Sequence, residues 1–165
     1  MSMFEDRLTR AARAFLDAAK AQKLKVATAE SCTAGLVAGC MGEIPGASWV
    51  LERGFVTYSN EAKNEVLGVP VDLIAAKGAV SEEVARAMAE GALAKSRADL
   101  AIAITGIAGP DGGSDEKPVG LVHFAAARRG RAVVSEEMRF GNLGRTNVQS
   151  ESVAQAFKML MALLD

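Results

Sequence analysis

The stretch that most constrains the fold is residues 27–35, which read ATAESCTAG. It follows a short apolar run and precedes an apolar segment, residues 36–41, whose composition favours a helix. A strand that enters a tight polar turn and then a helix places Ser31, Cys32 and Thr33 at a helix N-terminus. Unpaired backbone N–H groups and the positive end of the helix dipole favour negative charge there.

Two interpretations of this turn follow from the residues alone. A hydroxyl at that position could act as a nucleophile, or it could bind a phosphate or carboxylate. Alternatively, Ser31 or Thr33 simply caps the helix, because serine and threonine are both preferred N-cap residues. The local sequence leaves both interpretations open.

Hydrophobic spacing along the chain predicts alternating helices and strands. The helices are expected at residues 3–22, 33–42, 60–67, 70–76, 81–96 and 144–164. The strands are expected at residues 24–29, 49–58, 99–105, 119–127 and 132–140, the last two as a hairpin. This pattern predicts an α/β fold: a single three-layer α/β/α domain over residues 1–165 with a mixed β-sheet.

The composition excludes several classes of protein. A formal net charge of −1 and an aromatic content of 5% give no reason to expect nucleic-acid binding. The first residues are charged and amphipathic, unlike a signal peptide, and no long apolar run predicts a membrane span. We therefore expect a cytoplasmic protein without membrane contact. Exposed alanine-rich helix faces favour a homo-oligomer.

The two cysteines and the single histidine argue against a disulfide and against a metal site. Cys32 and Cys40 lie eight positions apart in one predicted helix, about 12 Å along its axis, which is beyond the reach of a disulfide. His123 lies inside a predicted strand, where a structural role is expected. With no CxxC motif, we expect neither a metal nor another cofactor.

A glycine-rich loop at residues 106–118 follows a buried strand. Open α/β sheets bind ligands beyond the carboxyl ends of their strands. The loop contains neither a P-loop motif nor a Rossmann fingerprint. Its backbone N–H groups could hold an anion or an oxyanion, and the alternative is an ordinary flexible surface loop.

Tyr58 is the last residue of the second predicted strand, and Lys63 lies just past its end. Lys63 is either a solvated surface charge or a buried amine whose lowered pKa allows it to act as a base. Tyr58 either packs in the core or donates a hydrogen bond in a site. No aspartate is placed to complete a Ser-His-Asp triad, so a nucleophilic Ser31 would need a base other than histidine, and lysine is the obvious one. The arginines at positions 128, 129 and 131 are expected to form a solvated turn.

Six segments carry a resemblance to a known family. They read AESCTAG at 29–35, IPGAS at 44–48, GFVTYSNEAKNEVLGV at 54–69, GAVSEEVA at 78–85, AITGIAGPDGG at 103–113 and KPVGLVHFA at 117–125. In this order, over nearly the whole chain, they resemble the CinA C-terminal domain family.

The resemblance implies an activity and a set of site residues. The activity is hydrolysis of nicotinamide mononucleotide to nicotinate mononucleotide and ammonia in pyridine nucleotide salvage, without metal or cofactor. Ser31 and Lys63 would form a catalytic pair, with Tyr58 nearby, and Arg145 would hold the substrate phosphate. The other substrate contacts that we expect are Glu30, Cys32, Thr33, Thr105, Gly106, Ile107, Ala108 and Gly109.

Two positions depart from the family pattern, and two other functions remain open. Ala34 stands where the family commonly has glycine, which is unfavourable if that position needs positive φ. Gln149 stands where a second arginine is common, which bears on phosphate affinity. The alternative functions are a non-catalytic nucleotide-binding module and an interaction protein associated with competence or DNA damage.

Overall fold

A five-stranded mixed sheet forms the middle layer of the computed structural model, which describes residues 1–165. The strands are β1 (Val26–Glu30), β2 (Leu51–Val56), β3 (Leu100–Gly106), β4 (Leu121–Arg128) and β5 (Val134–Arg139), in the spatial order β2-β1-β3-β4-β5. β1 pairs in parallel with both β2 and β3, whereas β3–β4 and β4–β5 are antiparallel. The predicted α/β fold with a mixed sheet is confirmed.

Six helices cover the two faces of this sheet. They are α1 (Asp6–Ala21), α2 (Leu36–Gly42), α3 (Asn60–Leu67), α4 (Val71–Lys77), α5 (Glu82–Ala94) and α6 (Arg145–Ala162), with a short 3-10 helix at Ala47–Trp49. Helices α1, α2 and α6 pack on one face and α3, α4 and α5 on the other, each with its own hydrophobic cluster. None of these helices combines the length and apolarity that crossing a bilayer requires.

The central strands carry large side chains on one face and alanine on the other. Along β3, Leu100, Ile102 and Ile104 face α1, α2 and α6, while Ala101 and Ala103 face α5. Strand β4 continues the same alternation, because successive side chains of a strand point to opposite faces. The alanine face allows α5 to approach the sheet closely.

The second helix and the second strand differ from the expected bounds for identifiable structural reasons. The second helix begins at Leu36 rather than Thr33, because Ala34 (φ 48°) and Gly35 (φ 95°) adopt left-handed conformations that interrupt a helix. The second strand is shorter than predicted, since residues 47–49 form the 3-10 helix before it.

The arginine turn between β4 and β5 is exposed at Arg129 and Arg131, as predicted, and its guanidinium groups also bind backbone carbonyl oxygens. Arg129 donates to the carbonyl oxygens of Leu93, Ser96 and Ala98 around the C-terminus of α5. Arg128 donates to the Leu163 carbonyl at 2.6 Å, beyond the end of α6. Carbonyl groups at helix ends have no intrahelical partner, and these guanidinium groups satisfy them.

We predict that Gly91→Ala destabilises the protein, although alanine is the better helix former. A methyl group at position 91 of α5 would overlap the Leu67 carbonyl oxygen at the end of α3, so the two helices would have to separate. The overlap is expected to lower the free energy of unfolding by about 2 kcal/mol, more than the gain of about 1 kcal/mol from helix propensity.

The matched control is Gly39→Ala in α2. There a methyl group would lie 3.5 Å from the Phe4 ring, an ordinary contact, so unfolding by urea should show unchanged or slightly increased stability. Equal stability of the two variants would contradict the close approach of α3 and α5.

Candidate active site

A cavity of about 250 Å³ opens beyond the carboxyl ends of β1 and β3. Its walls come from five places: the turn after β1, the segment from β2 into α3, the residues before α5, the end of β3 with the glycine-rich loop that follows it, and the first residue of α6. The lining residues are Ser31, Cys32, Tyr58, Lys63, Ala79, Val80, Thr105, Gly106, Ile107, Ala108, Gly109, Asp111 and Arg145. Most of the expected site residues therefore share one cavity.

The Lys63 amine and the Ser31 hydroxyl are in direct contact inside this cavity. Nζ lies 3.0 Å from Ser31 Oγ, and only 1% of Lys63 and 8% of Ser31 are exposed. The same amine lies 2.9 Å from the Thr57 carbonyl oxygen and 3.3 Å from that of Tyr58. Lys63 is thus a buried amine rather than a solvated surface charge.

The neutral form of the lysine can satisfy all three partners. Carbonyl oxygens only accept hydrogen bonds, so Thr57 and Tyr58 take two N–H groups of Lys63, whereas the Ser31 hydroxyl can donate to the lone pair of the amine. Burial lowers the pKa of Lys63 below its ordinary value of 10.5, because the charged form is poorly solvated there. The arrangement suits proton transfer from Ser31 to Lys63.

The local sequence explains how Lys63 reaches the site from α3. The Ser59 side chain accepts the Ala62 N–H and caps the helix, which places Lys63 in its first turns on the inward face. The Thr57 N–H donates to the Glu30 carbonyl oxygen at 2.9 Å and continues the pairing of β2 with β1. The β2–α3 connection is thereby held against the end of β1.

Glu30 and Thr33 do not line the cavity, contrary to the expectation that they contact substrate. The Glu30 side chain is fully buried and accepts the Thr33 hydroxyl at 2.8 Å and the N–H groups of Val37 and Ala38 at 2.9 and 3.1 Å. No cap bond to α2 comes from Ser31 or Thr33, so the capping interpretation is wrong as well. The carboxylate of Glu30 occupies this helix end, because it satisfies N–H groups that have no intrahelical acceptor.

Cys32 is an unsuitable nucleophile despite its place beside Ser31. Its side chain is buried in the core, and burial raises the pKa of the thiol to about 12. A thiol reacts as the thiolate, so Cys32 stays unreactive near neutral pH. Gln149 donates to the Cys32 carbonyl oxygen at 3.0 Å, which connects α6 to this turn. Both cysteines are free.

Tyr58 and Arg145 stand together at the rim of the cavity. Tyr58 is 54% exposed, so it does not pack in the core. Arg145, the first residue of α6, donates to the Tyr58 hydroxyl at 2.6 Å and to the Gly109 carbonyl oxygen at 2.8 Å. These contacts join three elements and leave a guanidinium group beside the cavity.

Three lining residues were missed from the sequence. Asp111 lies in the glycine-rich loop, which the sequence marks only as a whole, and it is the one carboxylate among the lining residues. Ala79 and Val80 precede α5, and the Thr105 hydroxyl holds this segment by donating to the Ala79 carbonyl oxygen at 2.8 Å. Small apolar residues in a loop carry no chemical signal in the sequence, so only their position in the folded structure shows that they line the cavity.

His123 lies outside the cavity, on β4, with Nε2 3.8 Å from a Glu137 carboxylate oxygen. Burial lowers the pKa of this imidazole. No group of three or more His, Cys, Asp or Glu side chains is placed to hold a metal ion.

Comparison with known proteins decides the family. The sequence profile of the CinA C-terminal domain matches residues 8–164. A protein of Escherichia coli K12 named nicotinamide-nucleotide amidohydrolase PncC is 51% identical over 144 residues, which are 87% of this chain and 86% of that protein. The chain belongs to the CinA C-terminal domain family.

Other CinA relatives are longer or have known structures. A CinA-like protein of Akkermansia muciniphila is 56% identical over 72% of this chain, which spans 29% of that relative. The competence/damage inducible protein CihA from Agrobacterium tumefaciens is 50% identical, with a TM-score of 0.98 and full coverage of both chains. A CinA superfamily protein from Escherichia coli is 33% identical, with a TM-score of 0.90 over 99% of this chain and 94% of that one.

Both positions at which we expected a departure from the CinA pattern have a structural role. Ala34 does adopt a positive φ, 48°, so its methyl group sits in a conformation that L-residues other than glycine rarely adopt. Gln149 uses its amide to hold the Cys32 carbonyl oxygen, and it does not line the cavity.

We predict that the reactivity of Ser31 rises with pH as Lys63 loses its proton. A fluorophosphonate tests this without a substrate: the Ser31 oxygen bonds to phosphorus, fluoride leaves, and the hydroxyl proton passes to the amine. Because the pKa of Lys63 is lowered from 10.5, the midpoint of the labelling rate should lie below that value.

Mass spectrometry of the labelled peptide identifies the reacting residue, and Ser31→Ala should remove the label. Lys63→Met should label slowly and without the pH dependence. A rate that is unchanged by pH, or by loss of the amine, would contradict the proton transfer.

Proposed function

We propose that this chain is an amidohydrolase that hydrolyses the carboxamide of nicotinamide mononucleotide, giving nicotinate mononucleotide and ammonia, by a serine–lysine mechanism. The observation that carries the proposal is the 3.0 Å contact between the buried Lys63 amine and the Ser31 hydroxyl at the floor of a cavity. The relative named nicotinamide-nucleotide amidohydrolase, which aligns over most of both chains, supports the choice of substrate.

The reaction begins with attack of Ser31 on the carboxamide carbon. Lys63 takes the hydroxyl proton as the Oγ–C bond forms, and it then passes a proton to the leaving nitrogen as the C–N bond breaks and ammonia departs. Water next attacks the acyl-enzyme ester, with Lys63 again accepting a proton. The ester bond breaks, Ser31 recovers its proton, and nicotinate mononucleotide is released.

Two backbone N–H groups are suited to stabilise the oxyanion of this reaction. The N–H groups of Cys32 and Ala108 donate to no other residue of the protein, although both residues line the cavity and are at most 5% exposed. Buried N–H groups without partners are rare in folded proteins. Donors that are already in place where charge develops are the strongest contributors to acyl transfer.

Arg145 is suited to hold the substrate phosphate. Its guanidinium stands at the cavity rim, and it opens α6, an 18-residue helix without a side-chain cap, whose first N–H groups favour an anion. The Tyr58 hydroxyl orients this guanidinium, and the Tyr58 carbonyl oxygen accepts from Lys63. Tyr58 would thus position both the guanidinium that holds the phosphate and the amine that acts at the carboxamide.

The sequence also predicted a cytoplasmic homo-oligomer without nucleic-acid or membrane partners, and these remain predictions. A non-catalytic nucleotide-binding module does not need a buried amine in contact with a hydroxyl. That alternative therefore leaves this contact without a role.

We predict that the purified protein releases ammonia from nicotinamide mononucleotide and that Ser31→Ala and Lys63→Met each reduce kcat by about 1,000-fold or more. Each change removes one partner of the proton transfer. Ammonia release and the formation of nicotinate mononucleotide are measured together. Lys95→Met removes an exposed amine and serves as the control.

Full activity in either site variant would refute the catalytic pair. Binding of nicotinamide mononucleotide without turnover by the wild-type protein would favour the nucleotide-binding module instead.

We also predict that Arg145→Ala weakens use of the nucleotide selectively. Loss of charge-assisted hydrogen bonds to phosphate should raise KM for nicotinamide mononucleotide by about 10- to 100-fold, while turnover of nicotinamide riboside, which lacks the phosphate, stays near the wild-type rate. Arg10→Ala, at an exposed arginine of α1, is the matched control. An equal loss with both substrates would show that Arg145 does not read the phosphate.

A further inference from the structure

We propose that Glu30 is a positioning residue for catalysis: its buried carboxylate holds the turn that presents Ser31. This role rests on the proposed serine–lysine mechanism, and it belongs to a residue that does not line the cavity. Glu30 is the last residue of β1 and directly precedes Ser31, and its side chain is fully buried outside the cavity.

The Glu30 carboxylate is satisfied entirely by donors from the residues that follow it. Oε1 accepts from the Thr33 hydroxyl at 2.8 Å and from the Val37 N–H at 2.9 Å, and Oε2 accepts from the Ala38 N–H at 3.1 Å. No lysine, arginine or histidine forms an ion pair with it. A buried anion is costly unless it is hydrogen-bonded, so these contacts must persist for the folded state to tolerate the charge.

The turn held in this way is one that the chain does not favour by itself. Ala34 and Gly35 are consecutive left-handed residues, with φ of 48° and 95°, and the alanine adopts this conformation at a cost. Within the turn, backbone bonds run only from the Ala34 N–H to the Ser31 carbonyl and from the Leu36 N–H to that of Thr33. Glu30 spans the whole turn, from the end of β1 to the first residues of α2.

Ser31 is therefore held from both sides. Its N–H donates to the Ile104 carbonyl oxygen at 3.0 Å, which fixes it to β3, and Glu30 fixes the residues that follow it. The hydroxyl must stay within proton-transfer distance of Lys63, and a displacement of about 1 Å in an active site can cost 100-fold in rate. Holding the turn is thus a requirement of the mechanism as well as of the fold.

An amide cannot replace the carboxylate at this position. Glu30 uses both of its oxygens as acceptors, whereas glutamine offers one oxygen and turns an NH₂ group towards an N–H donor. At least one contact with the turn is lost in Glu30→Gln, with little change in side-chain volume. Because Glu30 does not touch the cavity, substrate binding is spared.

The test compares Glu30→Gln with Glu65→Gln, which removes the same charge from an exposed position of α3. We expect Glu30→Gln to lower kcat by about 100-fold, per folded molecule and well below its melting temperature. The affinity for the product nicotinate mononucleotide, measured by calorimetry, should stay within about twofold. Glu65→Gln should match the wild type in both.

A second variant keeps the proposal testable if Glu30→Gln folds poorly. Thr33→Val preserves the shape of the side chain and removes only the hydroxyl that donates to Glu30, so it should lower kcat by several-fold with unchanged product affinity. The rate at which a fluorophosphonate labels Ser31 should follow kcat: it should be lowest in Glu30→Gln, intermediate in Thr33→Val and highest in the wild type.

The labelling rate separates the two proposals. If the wild type fails to hydrolyse nicotinamide mononucleotide, the proposed function is wrong, and the labelling rates alone decide the role of Glu30. A merely structural role would lower the melting temperature and leave kcat and labelling per folded molecule unchanged. That result, or a loss confined to product affinity, would overturn the proposal.

Discussion

A lysine amine that is removed from water and surrounded by two carbonyl oxygens and one hydroxyl is the interaction on which this structure depends. The two carbonyl groups belong to the segment between β2 and α3, and the hydroxyl belongs to the turn after β1. Burying the charged amine would be expensive, so the surroundings favour its neutral form. The same burial suits Lys63 to the role of base that we propose.

The parallel part of the sheet brings these groups together. β1 lies between β2 and β3 and runs parallel to both, so all three strands end at the same edge. Ser31 follows the end of β1, the segment that leads to Lys63 follows the end of β2, and the glycine-rich loop follows the end of β3. A ligand site at this edge agrees with the general behaviour of α/β sheets.

The N-terminus of α2 shows that tertiary contacts can overrule a prediction made from a local sequence pattern. A strand, a turn and a helix predict an anion site at the helix N-terminus, yet the protein supplies its own anion there, the Glu30 carboxylate. The first N–H groups of α2 are therefore not available to substrate. The donors that we propose for an oxyanion are loop N–H groups instead, those of Cys32 and Ala108.

Hydrophobic periodicity in the sequence determined the order of helices and strands, because it depends on local spacing. The helices between the first strands and the hairpin that joins the last two then predicted a mixed sheet. The motifs shared with the CinA family predicted Ser31 and Lys63 as site residues, and the need for a cation beside the substrate phosphate predicted Arg145. Local spacing failed at Ala34, whose left-handed conformation delays the start of the predicted helix, and it gave no sign of the carbonyl acceptors that Arg128 and Arg129 find in distant segments.

Only the tertiary structure decided whether an amine and a hydroxyl 32 positions apart in the chain would meet. It also decided that Tyr58 is exposed, that Glu30 is buried away from the cavity, and that Val80 and Asp111 line it. The physical reason is the same in each case. Burial and hydrogen-bond partners depend on which segments pack together, and the spacing of residues along one segment carries no information about its neighbours.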